Sequence, residues 1–125
     1  HLALGKRARA QQLKFLAREL DSSRNLIVMG DFNTRVDTQA VQDFCDVMAL
    51  KAPTRGLASY PSWQPQRAID HILVSETLQT GPAEVFDVRF SDHCPVALEV
   101  ELPSTVCLPP ATPRAALSVQ SGGPF

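Results

Sequence analysis

No C-x-x-C pair occurs in this sequence, and its three cysteines, Cys45, Cys94 and Cys107, are odd in number and widely separated. That removes the usual zinc and dithiol patterns and makes a disulfide framework a poor reading, leaving small buried or exposed thiols. No apolar run approaches the roughly 20 residues needed to cross a bilayer. Neither sign of charge dominates: 12 basic against 13 acidic side chains give a formal charge of -1, so no global field announces nucleic acid or membrane. Lys6, Arg7, Arg9, Lys14 and Arg18 do crowd the first eighteen positions, but helical spacing spreads them over a solvated surface. Walker-type and dinucleotide-type glycine loops are missing, as is any internal repeat. The chain opens at His1 with neither an initiator Met nor a signal-like segment. It therefore reads as a piece of something longer, with the cytoplasm favoured as its location.

What is present suits one domain: 125 residues, 44% of them hydrophobic. Between Gly5 and Leu20 the apolar positions Leu13, Leu16, Ala17 and Leu20 recur at helical spacing, predicting an amphipathic helix. Asp21 to Arg24 breaks that period, and the run from Asn25 to Met29 predicts a strand buried on both faces. Asp37 is the expected N-cap of a second helix carrying Ala40, Val41, Phe44 and Val47, with a loop from Lys51 to Leu57 after it. Ser59 to Trp63 predicts a short edge strand, because Pro61 is incompatible with a central one. Ala68 to Val74, Glu84 to Val88 and Pro95 to Leu102 predict three further strands. Residues 103–125 hold five of the ten prolines and one charged residue, Arg114, and predict a disordered tail.

Polar chemistry collects at three strand ends: Gly30-Asp31-Phe32-Asn33, Ile69-Asp70-His71 and Ser91-Asp92-His93. If the extended geometry persists past Gly30, Asp31 and Asn33 leave the chain on the same side and face a common cleft. The competing reading is an Asx turn that ties both to local backbone. Three such clusters on strands of one sheet favour a shared crevice. Hydrolysis of a phosphate ester needs a deprotonated water, a group to hold charge on the phosphoryl oxygens and usually a divalent metal. Asp, Asn and His supply these functions, and a His requires a carboxylate to fix its protonation state near neutral pH. Asp70 is the candidate for that task. Hard carboxylate oxygens without Cys ligands favour Mg²⁺ or Mn²⁺ over zinc.

In their order and spacing, Gly30-Asp31-Phe32-Asn33, Ile69-Asp70-His71-Ile72-Leu73-Val74-Ser75 and Ser91-Asp92-His93-Cys94-Pro95-Val96 resemble the signatures of the endonuclease/exonuclease/phosphatase family. His1-Leu2, followed by Arg7 or Arg9 and Gln11 or Gln12, is similar to a further family segment. The resemblance covers residues 1–102. It implies an α/β fold, the C-terminal half of a four-layer α/β/β/α sandwich of the deoxyribonuclease I-like type. It also implies that His93 acts at the scissile phosphate with Asp70 hydrogen-bonded behind it, and that Asp31 positions or activates water. Asn33 would donate to a phosphoryl oxygen, Asp92 would sit at a Mg²⁺ or Mn²⁺ ion shared with Asp31, Asn33 and His93, and His1 would act on the leaving group or phosphate. Tyr60 and Trp63 match aromatic residues that border the substrate cleft in related enzymes. His71 has no such role and is expected to face away from the crevice.

The implied activity is metal-dependent hydrolysis of a phosphoester, a phosphodiester first, by direct attack of water. The substrate would be nucleic acid or a phospholipid or inositol phosphate headgroup, and the near-neutral charge argues mildly against strong duplex binding. The family's metal-binding Glu lies in the N-terminal half, so that missing half is an expected partner of this chain. The fragment alone is expected to be inactive and poorly soluble, and the full-length protein monomeric. The rival readings are a non-catalytic binding module that keeps the fold and, within the enzyme class, a lipid phosphodiesterase or phosphatase rather than a nuclease.

Overall fold

The computed structural model describes residues 1–106. Helix α1 (Lys6–Glu19) leads to strand β1 (Ile27–Asp31), followed by α2 (Gln39–Met48), β2 (Leu50–Lys51), β3 (Asp70–Ser75), β4 (Thr80–Val85) and β5 (Val96–Val100). Three strands form one antiparallel sheet in the order β1-β3-β2, while β4 and β5 make a separate antiparallel ladder. The three polar clusters therefore do not lie on strands of one sheet, as the sequence predicts. Two of them meet because β1 and β3 run antiparallel, which brings the end of one strand beside the start of the other. Of the expected tail, Pro103 to Val106 closes a turn through the Val106 N–H and the Pro103 carbonyl, 2.9 Å apart, and the remainder lies outside the described residues.

Residues paired across an antiparallel ladder share a face of the sheet. Val28 faces Leu73 and Gly30 faces His71 on one side, while Ile27, Met29 and Asp31 face Val74, Ile72 and Asp70 on the other. The helices cover only the first face. Leu73 and Val41 are fully buried there with Leu13, Phe32, Val36, Phe44, Cys45, Met48 and Leu50, and Val28 packs at the edge of the cluster. On the opposite face Ile27 and Met29 remain 41% and 66% exposed. The expectation that β1 is buried on both faces is thus wrong; its continuous apolar run reflects one face in the core and one uncovered.

Helix α1 forms where its apolar period predicts, and Leu13 is the residue it buries. For α2 the buried stripe is Val41, Phe44, Cys45 and Met48, and Val47 points outward at 67% exposure. Thr38, not Asp37, occupies the N-cap, because the Asp37 carboxylate is drawn to the Arg35 guanidinium in a two-pronged contact of 2.7 and 3.1 Å. The expected edge strand at Ser59 to Trp63 is reduced to a single bridge between Tyr60 and Arg67, with a cis Tyr60–Pro61 bond. The strand expected from Glu84 begins earlier, at Thr80, and ends at Val85.

His71 behaves as its position on the covered face dictates. It is 1% exposed, edge-on to the Phe32 ring, and its Nε2–H donates to the Thr34 carbonyl at 2.8 Å. Nδ1 is buried without a partner, so a second proton there would meet no acceptor. Burial, opposed by the Thr34 carbonyl and by the Asp70 and Asp31 carboxylates, lowers the pKa of this ring. The unfolded chain, with a histidine value of about 6.5, then binds the proton first. Stability contributed by neutral His71 is expected to be complete above that value and to be lost as the pH falls through the lower folded value. Urea midpoints recorded from about pH 8 down to about pH 5 should fall more steeply for the wild type than for His71→Phe; parallel curves would refute this.

A candidate phosphoester-hydrolysis site

The register of β1 against β3 sets Asp31 directly across from Asp70, on the face that the helices leave open. Gly30, just before, has φ +148°, a conformation that L side chains rarely adopt, so glycine is required where the strand enters the site. Asn33 follows with φ 51°, in the left-handed region that Asn tolerates better than most residues. The extended geometry therefore carries past Gly30 only as far as Asp31 and does not reach Asn33, and the Asx turn forms: the Asn33 N–H donates to Asp31 Oδ1 at 2.7 Å. The second carboxylate oxygen, Oδ2, is left to face His93 Nε2 at 4.0 Å. Both sequence readings thus hold in part, since one oxygen of Asp31 is bound locally and the other points into the cleft.

His93 arrives from the loop before β5. Its main chain is pinned on both sides, by the Cys94 N–H donating to the Ser59 carbonyl and the Ser62 N–H donating to the Asp92 carbonyl, each at 2.7 Å. Its Nδ1 lies 2.7 Å from Asp70 Oδ2. That oxygen also accepts the Ser59 hydroxyl at 2.5 Å, from a serine that is completely buried. Charge-assisted bonds of this kind are among the stronger ones, so Asp70 is clamped and clamps the imidazole in turn. Burial of the ring pulls its pKa down, but the hydrogen bond to Asp70 and the charges of Asp70, Asp31 and Asp92 outweigh it, and the net shift is upward.

Around this centre the Tyr60 ring lies 4.8 Å from the His93 ring, tilted by 49°, and the Arg67 guanidinium sits 5.5 Å above Tyr60. Asp92 is exposed at the rim, where its carboxylate accepts the Ser91 hydroxyl at 3.1 Å. One amide N–H of Asn33 donates to the Leu2 carbonyl at 2.6 Å, leaving the other N–H for a ligand. The Leu2 N–H in turn donates to the Asp31 carbonyl at 2.8 Å, which fixes the N-terminal segment beside the site although His1 itself is exposed. Arg9 and Gln12 complete that attachment: Arg9 donates to the Ala3 and Leu4 carbonyls, and Gln12 accepts the Ala3 N–H at 2.8 Å. Trp63 is 62% exposed and stands apart from the cluster.

Asp31, Asp70 and His93 each offer a ligand atom within 4.8 Å of the others. Two carboxylates and one imidazole form a donor set that fits a hard divalent cation better than a soft one. Ser59 is the residue that sequence reasoning missed. It lies eleven positions before Asp70, and the Tyr60–Arg67 bridge, with the Ser59 N–H donating to the Arg67 carbonyl at 3.0 Å, brings the two together.

Several solved structures share the fold. A mannosyl-6-phosphatase from Bacteroides thetaiotaomicron VPI-5482 is 23% identical with a TM-score of 0.60, over 78% of this chain and 47% of that one. A functionally unknown conserved protein from Enterococcus faecalis V583 gives 22% and 0.69, over 81% and 47%. An endonuclease/exonuclease/phosphatase from Bacteroides vulgatus gives 23% and 0.66, over 79% and 46%. The chain thus spans less than half the length of each, with the α/β architecture of a partial domain of the deoxyribonuclease I-like fold. The sequence pattern of the Endonuclease/Exonuclease/phosphatase family matches residues 2–93, and the chain belongs to that family. No curated protein sequence matches it significantly.

Proposed function

We propose that residues 1–102 are the C-terminal half of a divalent-metal-dependent phosphoesterase domain that hydrolyses its substrate, a phosphodiester first, by direct attack of water. One observation carries this reading: Asp70 holds Nδ1 of His93 at 2.7 Å while Nε2 faces the open oxygen of Asp31. The two groups that must act on opposite sides of a proton transfer are thereby set 4.0 Å apart. With its pKa raised, His93 presents an Nε2–H that donates to a phosphoryl oxygen as negative charge builds there. Asp31 Oδ2 accepts a hydrogen bond from the attacking water, orients it in line and receives its proton. Asp70 and Ser59 keep the imidazole from rotating, and the second amide N–H of Asn33 donates to another phosphoryl oxygen. His1 acts on the leaving group or the phosphate, a role supported by the attachment of the adjoining Leu2 N–H to the Asp31 carbonyl.

Asp31 and Asp92 are the residues that would hold Mg²⁺ or Mn²⁺, with Asn33 beside them and further ligands from the other half of the domain; His93, expected among the ligands, keeps its Nε2–H for the phosphoryl oxygen instead. Such an ion supplies neutralisation of phosphoryl charge and a lowered pKa for nearby water. Tyr60 and, further out, Trp63 border the substrate. A phosphomonoesterase is the second reading, favoured by the mannosyl-6-phosphatase that shares the fold. The test uses the intact protein, assayed on bis(4-nitrophenyl) phosphate and 4-nitrophenyl phosphate with Mg²⁺ and with chelator. Turnover that vanishes on chelation and falls about a hundredfold or more in Asp31→Asn is expected. Turnover indifferent to both changes would defeat the proposal, and the preferred ester distinguishes the two readings.

A further inference from the structure

Beside the Asp31–Asp70–His93 cluster lies a cavity of about 660 Å³ whose walls bring together Arg9, Arg35, Arg55 and Arg67, four residues scattered over 59 positions of sequence. Asp37 is the one acidic side chain that lines it. Arg35 is already paired with Asp37 at 2.7 Å, Arg9 is turned to main-chain carbonyls, and Arg67 lies over Tyr60. Arg55 makes no ion pair among the described residues, yet its charge is felt at Asp37 and at His71. With the charges counted, three guanidinium groups in this cavity lack a carboxylate. The sequence places Arg35, Arg55 and Arg67 in loops near the polar signatures, within reach of substrate phosphates, without singling out any one of them, and assigns Arg9 to a solvated helix surface; that the four line one cavity is seen only in the structure.

The cavity adjoins the reacting centre at two points. Asn33, whose N–H is held by Asp31, forms part of its wall. Arg67, also in the wall, stacks on the Tyr60 ring that rests against His93. Like-charged guanidinium groups gathered around a cavity repel one another unless an anion enters, and the planar Arg fork matches phosphate oxygens better than any other side chain does.

We infer that this arginine-lined cavity binds a second phosphate group of the substrate, next to the one being hydrolysed. The inference rests on the proposed hydrolase reading and narrows its substrate class to esters carrying more than one phosphate. A nucleic acid strand and a multiply phosphorylated sugar both satisfy it. A headgroup that places a quaternary ammonium beside its single phosphate does not, because the ammonium would meet the guanidinium groups.

The test measures inorganic pyrophosphate binding by calorimetry, without divalent cation, in the intact protein and in Arg55→Glu and Arg35→Ala/Arg55→Ala variants. Loss of a charge-assisted contact is expected to weaken binding about 10- to 100-fold, while bis(4-nitrophenyl) phosphate, which has one phosphate, is turned over within about twofold of wild type. Displacement of pyrophosphate by a thymidine octanucleotide or by fructose 1,6-bisphosphate supports the inference and says which source fits. Three results would overturn it: no pyrophosphate binding by the wild type, equal binding by the variants, or displacement by neither compound. Pyrophosphate bound through Arg55 in a protein that hydrolyses no phosphoester keeps the anion site and defeats the hydrolase reading instead.

Discussion

Replacing His93 with Ala is expected to lower kcat of the intact protein by about 10²- to 10⁴-fold, the range for loss of a positioned proton-transfer group. The size follows from how completely the ring is committed. One nitrogen is held by Asp70 at 2.7 Å and the other faces Asp31, so no neighbouring side chain takes over the donation when the imidazole is removed. Folding should survive, because His93 is only partly buried and its loop is fastened through the main chain of Ser59, Ser62, Asp92 and Cys94. Steady-state rates together with circular dichroism of the variant check both parts. A kcat within a few-fold of wild type would move the chemistry to other residues.

An equally large effect is expected from the 125-residue chain by itself: no detectable phosphoester hydrolysis, and self-association in solution. The sheet face that carries Asp31 and Asp70 also carries Ile27 and Met29, 41% and 66% exposed, and Phe86 and Phe90 stand out at 44% and 97%. A shallow hollow of about 250 Å³ on this side is walled by Met29, Ile72, Cys94, Pro95 and Val96. An uncovered apolar sheet face next to a polar site has the character of a packing surface for a second sheet. Its occupant in the intact domain would also bring the further metal ligands. Sedimentation of the purified chain, with Mg²⁺-dependent turnover measured on the same sample, is the check. A monomer that turns over bis(4-nitrophenyl) phosphate would show that these residues suffice.

Much of the candidate site was legible because it is written in short contiguous signatures. Asp31, Asp70 and His93 each sit in a local pattern of strand followed or preceded by polar residues, and these three meet in space. The Arg9 and Gln12 alternatives of the leading segment were resolved only by the bonds that both make to Ala3. Ser59 was silent because nothing in its own neighbourhood marks it; its function comes from a bridge formed between Tyr60 and Arg67. Arg35, Arg55 and Arg67 were legible as loop residues near the signatures, but their meeting with Arg9 in one cavity was not, since the four come from α1 and from the β1–α2 and β2–β3 connections.

Errors in the fold share a cause as well. Periodicity says that a strand is apolar but not which of its faces is covered, so β1 read as buried on both sides when only Val28 faces the core cluster. Local propensity made Asp37 the N-cap, whereas a nearby Arg35 outcompetes the helix for its carboxylate and leaves Thr38 at the cap position. The αL backbone of Asn33 bends the chain where an extended continuation was one of the two readings. In each case a contact with a specific neighbour overrides a local preference.

The central claim is that Asp70 works through His93 as one unit in phosphoester hydrolysis, and a double-mutant cycle tests it most directly. Turnover of bis(4-nitrophenyl) phosphate with Mg²⁺ is measured for the intact wild type, Asp70→Asn, His93→Ala and the double variant. Residues that act as a unit are strongly non-additive. Asp70→Asn is therefore expected to cost much of its rate when His93 is present and almost nothing once His93 is gone. A double variant whose loss equals the product of the two single losses would contradict the account.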